Sequence, residues 1–250
     1  MSFSSVIGKL TDLAFPEVCH FCGKWKCDSD IEYLCKKCAG SIPIRSRRLR
    51  VHRCLEENLR VKMSVPVSEN FDVIAACFYE DPIRQALIRM KFYNEAFHYR
   101  EFARILSTVL VDVNREWDMI LPVPLHPKRE RERGYNQTLL IAGELSKIMG
   151  IELHDNIVSR VRNTARQSEA GNKGGRIANL HGAFNCSRAD NLKGKRILIL
   201  DDVLTSGITM FNTVESIRVA LRGHENKSPD NHSTEITGVV IASDRKTITY

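Results

Sequence analysis

The chain has 250 residues, of which 43% are hydrophobic and 27% are charged, as is typical of a soluble globular protein. No stretch approaches the ~20 consecutive apolar residues of a membrane-spanning helix, and the first fifteen residues lack the apolar core of a secretory signal. We therefore expect a cytoplasmic protein with one large domain, or one ordinary domain and a small appendage.

Five of the eight cysteines lie in the first 40 residues, where residues 19–38 read CHFCGKWKCDSDIEYLCKKC. Two C-x2-C pairs separated by twelve residues can direct four thiolates at one ion. This spacing predicts a structural Zn²⁺ site without an open coordination position, held by Cys19, Cys22, Cys35 and Cys38. Cys27 and His20 remain alternatives for one ligand, and free reduced cysteines are the alternative to a metal site.

The net charge of +7 is partly clustered in two runs, RSRRLRVHR (45–53) and KRERER (128–133). Each run alone is typical of a solvated surface, but together they indicate binding to phosphate-bearing partners. We place a zinc-binding module with a basic linker at residues 1–55, and a second domain at residues 70–250.

Strand-like and helix-like segments alternate after residue 70. Because alternating elements favour a parallel sheet with helices on both faces, we predict a doubly wound α/β fold that binds ligands beyond the carboxyl ends of its strands. The predicted strands are 71–80, 117–126, 157–162, 195–203 and 236–243, and the predicted helices are 83–92, 101–113, 136–150 and 208–223.

Residues 197–209 read ILILDDVLTSGIT and join the most apolar strand to the next helix. Backbone amides at such a turn converge and favour an anion, while Gly207 allows close approach. Asp201 and Asp202 can only accept hydrogen bonds, which suits a neighbour rich in hydroxyl groups. The stretch therefore predicts a ribose 5-phosphate site, with a Ser or Thr that merely caps the helix as the alternative.

The same stretch resembles the phosphoribosyl-pyrophosphate (PRPP) motif of type I phosphoribosyltransferases. FPEVCHFCG, PIRQALIRMKF, LPVPLHPKRERERGYNQT and RVRNTARQ, in this order, resemble the ComF family of competence proteins. The resemblance implies a type I phosphoribosyltransferase fold and a PRPP site that works with Mg²⁺. The implied catalytic residues are Asp201, Asp202, Arg160 and Gln167, and the implied ligand-binding residues are Val203, Leu204, Thr205, Ser206, Gly207, Ile208, Thr209, Pro124, Leu125, Lys128 and Arg133.

Three functions are consistent with this resemblance. The first is a PRPP-binding or ribose-5-phosphate-binding protein that handles incoming single-stranded DNA in natural transformation, with competence-machinery proteins as further partners. The second is an active phosphoribosyltransferase that transfers the group to a nitrogen nucleophile and releases pyrophosphate, and the third is a PRPP sensor without catalysis. For DNA binding, Phe21, Trp25 and Tyr33 are either base-stacking residues or the small core of the cysteine module.

Overall fold

The computed structural model describes residues 18–24, 34–51, 71–162, 182–224 and 234–244. Six of its strands form one sheet: β1 (Ile44–Arg50), β2 (Asp72–Phe78), β3 (Met119–Pro122), β4 (Glu152–Leu153), β7 (Arg196–Leu204) and β8 (Glu235–Ser243). Their order across the sheet is β1-β2-β8-β7-β3-β4. All neighbours run parallel except β1, which pairs antiparallel with β2. The predicted mainly parallel sheet is confirmed.

Helices cover both faces of this sheet. Their bounds are α1 (Lys36–Ser41), α2 (Ile83–Phe92), α3 (Tyr99–Asp112), α4 (Pro127–Arg133), α5 (Gln137–Met149) and α6 (Ile208–His224). Buried side chains of α2, α3 and α5 pack on one face, and those of α6 pack on the other. The aliphatic residues of β7 alternate between the two cores: Leu198 and Leu200 join the first, and Ile197 and Ile199 join the second.

Helix ends follow the local sequence closely. Asn136 caps α5 by accepting a hydrogen bond from Thr138 N at 3.1 Å. Gly150 ends the same helix with a φ of 68°, a left-handed conformation that glycine adopts without a steric penalty. The helix predicted over 208–223 is one residue longer in the structure, where α6 extends to His224.

Four strands differ from the sequence-based expectation: one predicted strand pairs outside the main sheet, and three strands, β4 among them, were not predicted. Strand β5 (Val158–Arg160) does not join the main sheet but pairs antiparallel with β6 (Phe184–Cys186). Strand β1 was not predicted at all, although it forms from the arginine-rich run that the sequence analysis placed in the basic linker. Of its described side chains only Leu49 is buried, so the usual apolar alternation of a strand is nearly absent.

The amino-terminal cysteine segment packs on the same core as α2, α3 and α5. The Phe21 ring lies 5.8 Å from the His98 ring and 6.3 Å from the Phe102 ring, measured between centroids. His20 Nδ1 also contacts the buried carboxylate of Glu101 on α3. The division into residues 1–55 and 70–250 stays a prediction, but among the described residues the first segment shares a core with the second.

Within the described ranges, every helix is too short or too polar to cross a bilayer.

Candidate functional site

The carboxyl edge of the sheet brings together two loops that the sequence separates by some eighty residues. β3 and β7 are parallel, with Pro122 opposite Leu200, so the chain that leaves β3 and the chain that leaves β7 emerge side by side. Val123 N still donates to Leu200 O at 2.8 Å, which holds the two strand ends together. The site therefore forms where a doubly wound sheet is expected to bind ligands.

The turn between β7 and α6 forms a shallow pocket that is open to solvent. Gly207 has a φ of 81°, a left-handed backbone that a side chain would strain. Ile208 N donates to Ser206 Oγ at 3.5 Å, and Phe211 N donates to Gly207 O at 2.9 Å as the helix begins. The pocket is lined by Asp201, Val203, Leu204, Thr205, Ser206, Gly207, Ile208, Thr209 and Met210.

Asp201 lines this pocket and keeps part of its side chain exposed. Its Oδ1 accepts a hydrogen bond from the backbone N of Asp202 at 2.8 Å. Burial and the neighbouring Asp202 raise the pKa of Asp201 to about 7, while Lys91 and Arg160 act in the opposite direction. The carboxyl group of Asp201 therefore keeps a proton to a higher pH than a free aspartate does.

Asp202 has a different environment, because its carboxylate is enclosed by two protein donors and the residue is only 6% exposed. Lys91 Nζ donates to Asp202 Oδ1 at 2.8 Å, and Gln137 Nε2 donates to Oδ2 at 2.7 Å. The sequence analysis treated both aspartates alike and did not single out Lys91 or Gln137. Of the two adjacent aspartates, Asp201 thus faces the open pocket, whereas Asp202 forms a buried ion pair with Lys91.

Arg133 connects the loop after β3 to the same network. Its guanidinium contacts Gln137 Oε1, so a chain of contacts runs from Arg133 through Gln137 to Asp202. Gly134, with a φ of 84°, ends α4 and turns the chain towards α5. Tyr135 donates its hydroxyl to the carbonyl of Met90 on α2 and packs against the core on that face of the sheet.

The remaining residues of this loop lie around the start of α4. His126 caps the helix by accepting from Lys128 N at 3.2 Å, and the Lys128 side chain is exposed. Pro124 and Leu125, which precede the cap, are half-buried. A basic side chain is thus available beside the two strand ends.

Arg160 lies at the end of β5 and is half-buried, with its guanidinium carbon 5.3 Å from the Phe184 ring centroid. Burial lowers its pKa, as does the nearby Arg129, whereas Asp201 raises it. Arg160, Arg129 and Asp201 therefore share one electrostatic neighbourhood. Gln167, the other implied catalytic residue of this part of the chain, lies outside the described residues.

Four cysteines meet near the amino terminus, and their sulfurs all lie within 4.8 Å of one another: Cys19, Cys22, Cys35 and Cys38. Cys22 Sγ and Cys35 Sγ are 3.9 Å apart, close to the ~3.8 Å edge of a tetrahedron with metal–sulfur bonds of about 2.3 Å. This cluster could hold a metal ion.

Local backbone geometry shapes the cysteine cluster. Gly23 N donates to Cys19 O at 2.8 Å with a φ of 68°, which closes the first C-x2-C turn. Cys38 N donates to Cys35 Sγ at 3.4 Å as α1 begins. Burial and the adjacent sulfurs raise the pKa of the Cys38 thiol, a cost that a bound cation would offset.

The structure bears on two alternatives from the sequence analysis: base stacking by Phe21 and metal ligation by His20. Phe21 is buried against His98 and Phe102, so its proposed role in base stacking is wrong and it belongs to the core. His20 directs Nδ1 to Glu101, while Cys27, Trp25 and Tyr33 lie outside the described residues.

A mainly parallel sheet, with two aspartates near the end of one strand and a phosphate-type turn after it, is the arrangement of a phosphoribosyltransferase domain. Residues 136–221 match the family model described as "Phosphoribosyl transferase domain", which covers Gln137, both aspartates and the turn.

Comparison with curated proteins gives the narrower family. The chain is 30% identical over 204 residues to competence protein F of Haemophilus influenzae, covering 79% of this chain and 78% of the relative. It is 28% identical to competence protein ComFC of Bacillus subtilis, covering 74% of this chain and 76% of the relative. It is also 28% identical to DNA utilization protein YhgH of Salmonella typhimurium, covering 71% and 74%. The chain belongs to the ComF family.

Proposed function

We propose that this chain binds PRPP or a related ribose 5-phosphate at the carboxyl edge of its sheet and serves in handling incoming single-stranded DNA. The observation that carries the first part is the pocket formed by the turn after β7, because Asp201 lines the same pocket as the Gly207 backbone. One end of this pocket suits a phosphate monoester, and the other suits the hydroxyl groups of a sugar.

Each predicted binding residue has a distinct part in this proposal. The backbone from Val203 to Thr209 surrounds the 5-phosphate, and Asp201 accepts hydrogen bonds from the ribose. Asp202 accepts a further one once a ribose hydroxyl takes the place of its Gln137 donor. Pro124, Leu125, Lys128 and Arg133 line the pyrophosphate side, where the cations neutralise oxygens. Mg²⁺ bound with PRPP would supply further positive charge for the pyrophosphate. Arg160 and Gln167 are proposed to act at the reacting sugar carbon.

The cysteine cluster is proposed to hold a structural Zn²⁺. Four thiolates complete a tetrahedral shell, which leaves no position for a substrate or a reacting water. Because Phe21 and Leu34 from this segment are buried in the main core, the ion would stabilise the contact between the segment and α3.

Two observations support the DNA part of the proposal. Relatives that share about three quarters of their length with this chain are named for competence and for DNA utilization. The described surface also carries cations near the site, among them Lys128 and Arg131 on α4. We expect this work to take place in the cytoplasm, with proteins of the competence machinery as partners.

Isothermal titration calorimetry with PRPP and Mg²⁺ tests the sugar-phosphate site. We expect saturable heat for the native chain, a loss of about tenfold or more in affinity for Asp201→Asn, and little change for Asp155→Asn, an exposed aspartate of the loop before β5. Absence of heat for the native chain would refute the site.

Filter binding of an oligodeoxythymidine over a salt series tests the DNA part. Contacts to phosphates release counterions, so affinity should fall steeply as the salt concentration rises. A flat salt response, or no binding at low salt, would refute a role that depends on the phosphate backbone.

An active phosphoribosyltransferase is a second candidate, favoured by the contacts that join Arg133 through Gln137 to Asp202. These contacts link the proposed pyrophosphate side to the proposed ribose side, as displacement at the sugar carbon requires. A nitrogen nucleophile would form the new bond to C1 while the bond to pyrophosphate breaks. Pyrophosphate release on addition of candidate bases, measured beside Asp201→Asn, separates an enzyme from a binding protein.

A further inference from the structure

Two adjacent aromatic side chains are exposed at the end of α2, beside the candidate sugar-phosphate site. Phe92 is 56% exposed and Tyr93 is 70% exposed. Single exposed apolar side chains are ordinary on protein surfaces, but here two large rings follow each other directly. Both come immediately after Lys91, which contacts Asp202.

Three contacts fix the position of these rings relative to the site. Lys91 Nζ lies 2.8 Å from Asp202 Oδ1, and the Met90 carbonyl accepts the hydroxyl of Tyr135. The guanidinium carbon of Arg133 lies 5.9 Å from the centroid of the Phe92 ring, within the range of a cation–π contact. The end of α2 is therefore attached to both loops of the site.

Positive charge borders the same surface. Helix α4 carries Lys128, Arg129, Arg131 and Arg133 against Glu130 and Glu132, a net charge of +2 in seven residues. Exposed rings next to cations are the combination that binds single-stranded nucleic acid, since each base offers a face for stacking and each phosphate offers a charge. A duplex hides the faces of its bases, so it fits this surface poorly.

We propose that Phe92 and Tyr93, with Arg133 beside them, form a base-stacking surface for single-stranded DNA next to the sugar-phosphate site. This inference rests on the DNA part of the proposed function and locates it. It takes the stacking role from Phe21, which is buried in the core, and gives it to rings that solvent and ligand can reach. The strand's phosphates then run along α4.

Fluorescence anisotropy with a labelled oligodeoxythymidine tests this surface in the full chain. We expect Phe92→Ala and Tyr93→Ala each to weaken binding by about tenfold, since each variant removes a ring on which a base stacks. Phe92→Tyr keeps a ring and should bind within about threefold of the native chain. The matched control is Val219→Ala on α6, a site 62% exposed but aliphatic, which should leave binding unchanged.

Two further arms separate stacking from charge. The Phe92→Ala variant should lose affinity at every salt concentration with an unchanged salt slope, whereas Lys128→Gln should reduce the slope by about one. With a strand of abasic sugar-phosphate units, the native chain and Phe92→Ala should bind equally, because no base is present to stack.

The outcomes distinguish this inference from the function on which it rests. If the native chain fails to bind oligodeoxythymidine, the DNA part of the proposed function is wrong and this surface is overturned with it. If the native chain binds with a steep salt slope but Phe92→Ala and Tyr93→Ala bind as tightly as Val219→Ala, only the stacking surface is overturned. The stacking surface would also be overturned if Phe92→Ala lost as much affinity for the abasic strand as for oligodeoxythymidine.

Discussion

Lys91 and Asp202, which are 111 residues apart in the chain, form an ion pair with 2.8 Å between Lys91 Nζ and Asp202 Oδ1. The pair joins the end of α2 to the carboxyl end of β7, and Gln137 on α5 contacts the second carboxylate oxygen. Three elements thus meet at one buried charge. A change at any of them is expected to affect both the stability of the fold and the shape of the site.

Replacement of Lys91 by methionine should lower the free energy of unfolding by about 3 kcal/mol. Removal of one partner leaves the Asp202 carboxylate buried without its counter-charge, and such losses in buried pairs are large. Urea denaturation followed by circular dichroism measures the change.

The control for this variant is Lys193→Met, which breaks an exposed pair between Lys193 and Asp190 with 3.0 Å between Nζ and Oδ1. Exposed pairs contribute about 0.2–1 kcal/mol, so this variant should lose little. Equal losses for the two variants would show that the Lys91 pair is no more important than an ordinary surface pair.

Gly238→Ala should destabilise the chain by about 1–3 kcal/mol, as overpacking of a core does. Gly238 lies in β8 under α6, and a Cβ there would lie 2.7 Å from Val73 Cγ2 and 3.2 Å from Met210 Sδ. The sheet or the helix must therefore shift. Thermal unfolding of the variant measures the effect.

Gly143→Ala on α5 is the same chemical change, but we expect it to stabilise the chain. A Cβ at this position would meet only Leu153 Cδ2, at 3.9 Å, and alanine favours a helix over glycine by about 1 kcal/mol. We expect a raised midpoint of thermal unfolding. A lowered midpoint would contradict the packing that surrounds α5.

Cys38→Ser should abolish tight Zn²⁺ binding and lower stability, because the cysteine segment packs Phe21 and Leu34 into the main core. Metal content by atomic absorption should fall from about one Zn²⁺ per chain to a small fraction of it. Cys186→Ser, a half-buried cysteine of β6 far from the cluster in sequence, should keep its metal. Equal metal content in both variants would refute the proposed site.

Asp201→Asn should become more stable relative to the native chain as the pH rises from 5 to 8. Burial raises the pKa of Asp201 to about 7, so between pH ~4 and 7 the native state binds more protons than the unfolded state. The free energy of unfolding then falls with rising pH, whereas asparagine does not ionise. We expect the gap to change by roughly 1–3 kcal/mol, measured by urea denaturation at each pH. A constant gap would contradict the raised pKa.

The sequence predicted those parts of the fold that short-range patterns determine. The aliphatic run 197–200 indicates a strand buried on both faces, and Gly150 indicates a helix end; both are confirmed. Strand β1 was not predicted because it consists mostly of arginine and serine. It forms because the edge of β2 offers backbone groups for pairing. Long-range pairing of this kind leaves no periodic signal in the sequence.

The site was predictable in its turn and its aspartates but not in the partners of Asp202. Lys91 lies one residue before the end of α2 and Gln137 begins α5, and nothing in either local sequence indicates a common carboxylate. A sequence signal did exist, since both lie in segments that resemble the ComF family. That resemblance does not say which residues contact each other. Only the fold places the last turn of α2 and the first turn of α5 beside β7.

The central position of β8 has a consequence for synthesis of the protein. This strand lies between β2 and β7, although it follows both in the chain. While residues 235–243 are still within the ribosome, β2 and β7 have no hydrogen-bonded neighbour between them, and the cores on both faces stay open. The sheet can therefore be completed only after β8 has left the ribosome, because β8 alone joins β2 to β7.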